Sequence, residues 1–229
     1  MQPRPPNPFN DLPPLVVALA LVIAGVELIF QAGASGFVGG QAAVGWRLTA
    51  LETWSVRADV WDWMLRTRQA PLDEVARVFA YPFVHSGFTH AAMVCVFVLA
   101  LGNVVAPVYP SWRLLVIFFG AALGGALVYL LLFDARSPLY GGYPPAYGLI
   151  GAFTYLTQRG LTRADPAKAF LLIGLLLAIQ PVFGLLLARN FAWVPDWSAD
   201  LGGAACGYLA AMLLFPGALH RIRDRLRQR

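Results

Sequence analysis

Long apolar stretches almost without charged side chains constrain the fold of this chain more than any other feature. A helix that crosses a lipid bilayer needs about 20 mostly apolar residues. Stretches of this kind lie at 15–37, 88–108, 114–133, 169–187 and 201–215. A shorter, glycine-rich stretch at 145–157 is predicted to form a central helix that the others shield from lipid. The pattern therefore predicts six transmembrane helices in an all-α membrane protein.

The composition excludes an ordinary soluble domain. Hydrophobic residues make up 59% and charged residues 13% of the 229 residues, whereas soluble domains carry about 25% charged residues. A single membrane domain over 1–229 is therefore expected. Cys95 and Cys206 lie inside apolar stretches, and we interpret them as small buried hydrophobic residues rather than as disulfide or metal-binding residues. No cofactor is expected.

The basic residues predict the orientation in the membrane. Six spans place both ends of the chain on one side, and that side carries Arg4, Arg113, Arg159, Arg163, Lys168 and five arginines within 218–229. The positive-inside rule then predicts a cytoplasmic N-terminal segment at 1–14 and a basic cytoplasmic tail at 218–229. We expect the tail to contact anionic membrane lipids. Nucleic acid is not an expected partner, because no aromatic platform accompanies the arginines.

The first apolar stretch and the loop after it need separate interpretation. The stretch is too long, and the charge before it too sparse, for a signal peptide. The long loop at 39–82 mixes charges with Trp46, Trp54, Trp61 and Trp63. Trp side chains favour the headgroup zone of a bilayer. We therefore predict one or two amphipathic helices that lie in the outer leaflet.

Three local motifs carry a family resemblance. They are His85-x4-His90-x3-Val94, then Gly141-Gly142-Tyr143-Pro144 followed by Gly148-x2-Gly151, and finally Asp200-x-Gly202-Gly203-x3-Gly207. With these motifs, six predicted helices and a large first loop, the chain resembles the rhomboid family of intramembrane serine proteases. The resemblance implies a rhomboid-like bundle with a membrane-embedded first loop. Trp46-Arg47 is the candidate for the family's Trp-Arg signature in that loop.

The residues at the family's catalytic positions differ from those that the chemistry needs. The resemblance puts Tyr143 in place of the nucleophilic serine, Asp200 in place of the histidine base and Val94 in place of an oxyanion-stabilising asparagine, whereas His90 remains. A serine needs a neighbouring base to attack a peptide carbonyl. A carboxylate is too weak a base for a phenol of pKa about 10, and Pro144 lacks a backbone N–H and fills the pocket. We therefore predict a pseudoprotease without catalytic residues.

A polar group is expected below the outer surface. Tyr143, Asp200 and one of His85 or His90 should lie close together. Our hypothesis is a hydrogen bond from the Tyr143 hydroxyl to Asp200, because a buried carboxylate is costly unless it is paired. The alternative is that Asp200 faces water. A metal held by His85, His90 and Asp200 is not favoured, because residues five apart do not share one helix face.

Several further positions are interpreted as binding or structural. Gly148, Gly151, Gly203 and Gly207 suit helices that approach closely in lipid, and Gly141 lies in the loop before them.

Two polar residues lie within predicted spans. Glu27, inside the first span, has three possible roles: a proton relay, a contact to a partner helix, or a hydrogen bond to the bundle interior, which is favoured. Gln180 is expected to bond backbone groups freed by a kink at Pro181.

The function predicted from these observations is binding without cleavage. The chain would hold transmembrane segments of an integral membrane protein, as an adaptor or an accessory subunit, in a bacterial inner membrane. The alternative is an active protease with displaced catalytic residues, for which Ser86, Ser137 and Ser198 are candidates. A hydroxyl lying against His85 or His90 in an open cleft would contradict the inactive hypothesis. A transporter is the weakest alternative, because no second ionisable group aligned with Glu27 is found deep in the other spans.

Overall fold

The computed structural model describes residues 12–133, 137–162, 165–188 and 191–216. Its six long helices are α1 (Pro14–Ala34), α6 (Phe88–Val105), α7 (Ser111–Leu132), α8 (Tyr143–Gln158), α9 (Pro166–Phe183) and α10 (Val194–Leu214). Four short helices lie between α1 and α6, namely α2 (Gly40–Ala43), α3 (Trp46–Trp54), α4 (Ala58–Thr67) and α5 (Leu72–Ala80). A 3-10 turn at Tyr81–Phe83 precedes α6, and a π-helical turn at Gly184–Ala188 follows α9.

Three of the long helices are long and apolar enough to cross a membrane. They are α1, α6 and α7, judged by length and composition. The other three predicted spans are also helical, but α8 has only 16 residues and α10 carries Asp196 and Asp200 in its first two turns. A shorter apolar segment, Gly174–Leu186, begins in α9 and continues into the π-helical turn after it. The helix positions are thus confirmed, and the count of six spans stays a prediction.

Helix α8 forms the centre of the bundle, as the sequence predicts. Every residue from Pro144 to Thr157 is buried. Helices α6, α7, α9 and α10 all pack against it. A helix that is apolar on all sides is stable only when other helices surround it, so this arrangement explains why so short a helix is tolerated. The N-terminal end of α8 is thereby fixed deep within the bundle.

Small residues set the distance between α8 and α10. A Cβ added to Gly203 would clash with the carbonyl oxygen of Pro144, and one added to Gly207 would clash with the backbone of Gly148. Gly151 meets the carbonyl oxygen of Ala204 in the same way. Such close approach provides dispersion contacts where lipid supplies no hydrophobic drive. The packing role predicted for these glycines is therefore confirmed.

The first loop contains more helices than expected. The sequence predicts one or two amphipathic helices in this loop. The structure contains four short helices there, α2 to α5, separated by turns. The Tyr81 hydroxyl donates to the carbonyl of Ala122 at 2.8 Å, and Val56 and Leu139 exchange two backbone hydrogen bonds of 2.9 Å. These contacts tie the loop to α7 and to the segment before α8. Its place in the outer leaflet stays a prediction.

The two chain ends fall largely outside the described residues. This applies to residues 1–11 of the predicted N-terminal segment and to the whole basic tail at 218–229. Cys95 and Cys206 are free thiols and are partly buried.

Candidate functional site

The glycine pair before α8 is held against the start of α6. Gly141 has φ of +92°, a conformation that favours glycine, and its N–H donates to the carbonyl of Tyr81 at 2.9 Å. A Cβ added to Gly142 would lie 2.5 Å from the side chain of Val94. The Gly142 N–H donates to His85 Nε2 at 3.2 Å. Glycine is therefore required here because α6 leaves no room for a side chain.

Tyr143 begins α8 and lies flat against a histidine. Its ring stacks on that of His90 with centroids 4.8 Å apart and planes 19° apart. Phe97 and Tyr147 contact the Tyr143 ring edge-on. Pro144 is buried, and a Cβ added to Gly125 of α7 would lie 2.7 Å from the Pro144 Cβ. Tyr143 and Pro144, which are predicted to fill the site, therefore do lie at the bottom of it.

The predicted closure of the pocket is incomplete. A cavity of about 190 Å³ remains beside Tyr143. It is lined by Ser86, His90, Pro138, Leu139, Tyr140, Tyr143, Pro144, Gln180, Asp196 and Asp200. The Tyr143 ring forms one wall of this cavity, because stacking on His90 draws it to the side of α6. The predicted group of Tyr143, Asp200 and His90 is thus brought together around one cavity.

His85 is a buried neutral histidine. Its side chain is 1% exposed, and its ring meets His90 edge-on at 4.9 Å. Burial, with the neighbouring His90 as the next cause, lowers the pKa of His85 to about 4. Because Nε2 accepts the hydrogen bond from Gly142, this nitrogen carries no proton. His85 therefore positions the loop before α8.

Ser86 lies against His90, which the sequence reasoning missed. The Ser86 Oγ is 3.2 Å from His90 Nδ1, and the serine is exposed beside the cavity. The sequence analysis names Ser86 only as a candidate for a displaced nucleophile and assigns it no partner. Residues four apart can meet at a helix start, so the i, i+4 spacing was the available signal. A hydroxyl that lies against His90 is the contact that would argue against an inactive protein.

The pair lacks the support that an activated serine needs. A catalytic base is oriented by a third group, but His90 Nε2 is buried and has no hydrogen-bond partner among the described residues. Ser86 and His90 therefore form a hydroxyl–imidazole pair, and no carboxylate in the described part of the chain orients the imidazole.

The hydrogen bond expected between Tyr143 and Asp200 is wrong. Asp200 is 2% exposed, and its Oδ2 accepts from Gln180 Nε2 at 2.9 Å. The hydrogen bonds of the described residues include none from the Tyr143 hydroxyl. Stacking on His90 holds the Tyr143 ring, and the long amide of Gln180 reaches Asp200 instead. The expectation that Gln180 bonds freed backbone groups is wrong for the same reason, and so is the alternative that Asp200 simply faces water.

Glu27 has a partner in the first loop. Arg47 donates from Nη1 to Glu27 Oε2 and from Nη2 to Oε1, each at 2.7 Å. Gln31 donates to Glu27 Oε1 at 2.8 Å, and Arg47 Nη1 also donates to the carbonyl of His85 at 2.8 Å. Of the roles considered for Glu27, the structure supports an interior hydrogen bond. No feature of the sequence around Glu27 indicates Arg47 as its partner.

The described residues offer little to a metal ion. No group of three His, Cys, Asp or Glu side chains among them is placed to hold one. His85 faces Gly142 and Asp200 faces Gln180, so the set of His85, His90 and Asp200 does not converge.

Comparison with known proteins assigns the motifs to a family. The Rhomboid domain matches residues 72–217, which is more than half of the chain. The match includes α5 to α10 and every motif residue from His85 to Gly207, whereas Glu27 and Arg47 precede it. No curated protein matches this sequence.

Proposed function

The chain belongs to the rhomboid family, and from that premise we propose that it is an inactive member. It binds transmembrane segments of other integral membrane proteins without cleaving them, as an adaptor or an accessory subunit. The observation that supports this most is the pair of residues at the family's catalytic positions. Tyr143 stacks on His90, and Asp200 is hydrogen-bonded to Gln180.

The surroundings of Tyr143 do not support peptide hydrolysis. A tetrahedral intermediate needs hydrogen-bond donors, and losing one donor costs about 10²–10³ in rate. Here the N–H groups of Gly141 and Gly142 are already used, on Tyr81 and on His85. Pro144 has no N–H to offer. Val94 is buried and apolar, so it cannot replace an amide donor.

The periphery of the bundle suits a partner helix. Helix α9 leaves large apolar side chains exposed, among them Leu171, Leu175, Ile179, Val182 and Phe183. Gln180 of the same helix donates to Asp200 of α10, so polar atoms lie close to this apolar surface. A segment docked on α9 could therefore place apolar residues on the helix and polar residues at the cavity. Segments with small residues and low helix stability are the expected clients.

The ends of the bundle support a proposed orientation in the membrane. Arg113 donates to the carbonyl of Leu214 at 2.9 Å, and Arg159 lies over the ring of Phe215 at 5.5 Å. Basic residues thus gather near the end of α10, opposite the cavity. By the positive-inside rule this end is cytoplasmic. We place the protein in a bacterial inner membrane with both termini in the cytoplasm.

The contact of Ser86 with His90 favours one second candidate, an active protease with displaced catalytic residues. The hydroxyl lies beside the cavity at 3.2 Å from a possible base. Ser198 is a weaker candidate, because its hydroxyl is buried and donates to the carbonyl of Pro195 at 2.7 Å. Ser86 is therefore the residue on which a test of activity should concentrate.

The test separates cleavage from binding. The purified full chain, in proteoliposomes, is incubated with model transmembrane segments and with a fluorophosphonate probe. We expect no cleavage product and no covalent label, together with segments recovered by photo-crosslinking. A label or product that disappears in Ser86→Ala but persists in the matched control Ser198→Ala would overturn the inactive assignment. Stoichiometric co-purification in mild detergent would identify a subunit rather than a transient adaptor.

A further inference from the structure

The cavity beside Tyr143 is lined by two acidic side chains and by a glutamine. Asp196 and Asp200 lie one helical turn apart on α10, and both line the cavity. None of the described lining residues is a lysine or an arginine. Asp200 is almost fully buried, and among the described residues its hydrogen-bond partner is the neutral amide of Gln180. A buried carboxylate without a cation is costly, and either protonation or a positively charged occupant relieves that cost.

Gln180 adds a requirement for a hydrogen-bond donor. Its Nε2 is directed at Asp200, so the amide orientation is fixed by that hydrogen bond. Its Oε1 is buried and has no partner among the described residues. A buried acceptor left unsatisfied is unfavourable. An occupant whose N–H groups reach this oxygen would satisfy it and also offset the charge of the carboxylates.

The remaining walls favour an organic cation. The rings of Tyr140 and Tyr143 line the cavity, and aromatic faces attract ammonium and guanidinium groups. A water molecule occupies about 30 Å³ in the liquid, so the 190 Å³ of the cavity is ample for the head of a basic side chain. A bare metal ion would lack ligands, since the described residues form no three-ligand group.

We propose that this cavity binds a primary ammonium or guanidinium group through Asp196, Asp200 and Gln180. The shared chemistry has two sources, a basic side chain near the outer end of a client segment or a free aliphatic amine. The first source rests on the proposed function, and the second does not. In both cases the replacement of the catalytic histidine by Asp200 converts the site from proton transfer to recognition of positive charge.

The first experiment uses small probes on the purified full chain in detergent. Isothermal titration calorimetry compares n-butylguanidinium and n-butylammonium with tetramethylammonium, which has charge but no N–H. We expect the first two to bind at least about tenfold more tightly than the third, since losing hydrogen bonds to charged groups costs a factor of this order. Equal affinity for all three, or no saturable binding of any, overturns the proposal.

Variants locate the binding. Asp200→Asn and Asp196→Asn should each weaken n-butylguanidinium binding, by about tenfold for the buried Asp200. Because Asp196 is exposed, its variant keeps the test valid if Asp200→Asn does not fold. The matched control is Asp59→Asn, an exposed carboxylate on α4 outside the cavity. Unchanged affinity in both cavity variants would overturn the proposal.

A further variant tests whether the chain supplies the cation itself. Arg136 and Arg189 lie outside the described residues. If the double variant Arg136→Gln/Arg189→Gln binds n-butylguanidinium while the unmodified chain does not, an internal arginine occupies the cavity, and the proposal of an external ligand is overturned. Similar affinity in the two proteins supports it.

The second experiment distinguishes the sources. A polyleucine helix with or without one arginine at its outer end is photo-crosslinked to the chain in proteoliposomes. Preference for the arginine helix, lost in Asp196→Asn, supports a client side chain as the ligand. If both helices crosslink equally, the proposed function stands and only free amines remain as ligands. If neither helix crosslinks, the proposed function fails, whereas the calorimetry still decides the chemistry of the cavity.

Discussion

Replacing Arg47 by alanine should destabilise the protein, because the change leaves the buried carboxylate of Glu27 without its cation. The side chain makes two hydrogen bonds of 2.7 Å to Glu27 and one of 2.8 Å to His85. Glu27 is 3% exposed, so its carboxylate would remain buried without a cation. Removing one partner of a buried ion pair costs about 3–5 kcal/mol.

We expect the lower end of that range, about 3 kcal/mol. Gln31 still bonds Glu27 at 2.8 Å after the change, and 20% of the Arg47 side chain is exposed, which screens the pair. This is roughly a hundredfold shift in the unfolding equilibrium. Reversible unfolding by SDS in mixed micelles, followed by circular dichroism, measures it. Glu27→Gln in the Arg47→Ala background should recover part of the loss, because a neutral amide is cheaper to bury.

The control for Arg47 is an exposed ion pair in the same loop. Arg57 and Asp59 are bonded at 2.7 Å with side chains 42% and 65% exposed, so Arg57→Ala should change stability by less than about 1 kcal/mol. A loss in Arg47→Ala no larger than in Arg57→Ala would refute the argument that Glu27 is structural. A proton-relay role, previously open for Glu27, would then need to be tested by transport measurements.

Three further changes test other parts of the structure. Gly207→Val should abolish the monodisperse peak in size-exclusion chromatography, because any side chain there meets the backbone of Gly148; Gly25→Val, where a Cβ meets nothing within 4 Å, should not. The pKa of His85 is lowered from 6.5 to about 4. The unfolded chain therefore takes up the proton first as the pH falls. The free energy of unfolding should lose up to about 3 kcal/mol between pH 6.5 and pH 4, and this stability is fully present above pH 6.5. His85→Gln should flatten the pH dependence of SDS unfolding over that window, and an unchanged slope would contradict the assignment. Tyr143→Ser alone should give no fluorophosphonate labelling, because Asp200 remains bonded to Gln180; labelling would show that a base is within reach.

Apolar pattern and small residues were sufficient to predict the scaffold. The positions of the six long helices, the buried central α8 and the close glycine contacts of α8 with α10 all follow from where hydrophobic and small residues recur. Local patterns suffice for these features because the hydrophobicity of each segment by itself decides whether that segment is buried. The motif from His85 to Val94 and the Gly141-Gly142 pair likewise identified segments that meet in space.

The pairing of polar groups was decided only by the tertiary structure. Glu27 and Arg47 are 20 residues apart, as are Gln180 and Asp200, and nothing in either local sequence specifies the other partner. A buried polar side chain bonds whichever donor or acceptor the packed helices bring within about 3 Å. The sequence therefore determined which helices would be buried and which residues stand in the motifs that resemble those of the family. The docking of α1, α3, α9 and α10 determined what the buried polar atoms contact, and it left a cavity where the sequence predicted a filled one.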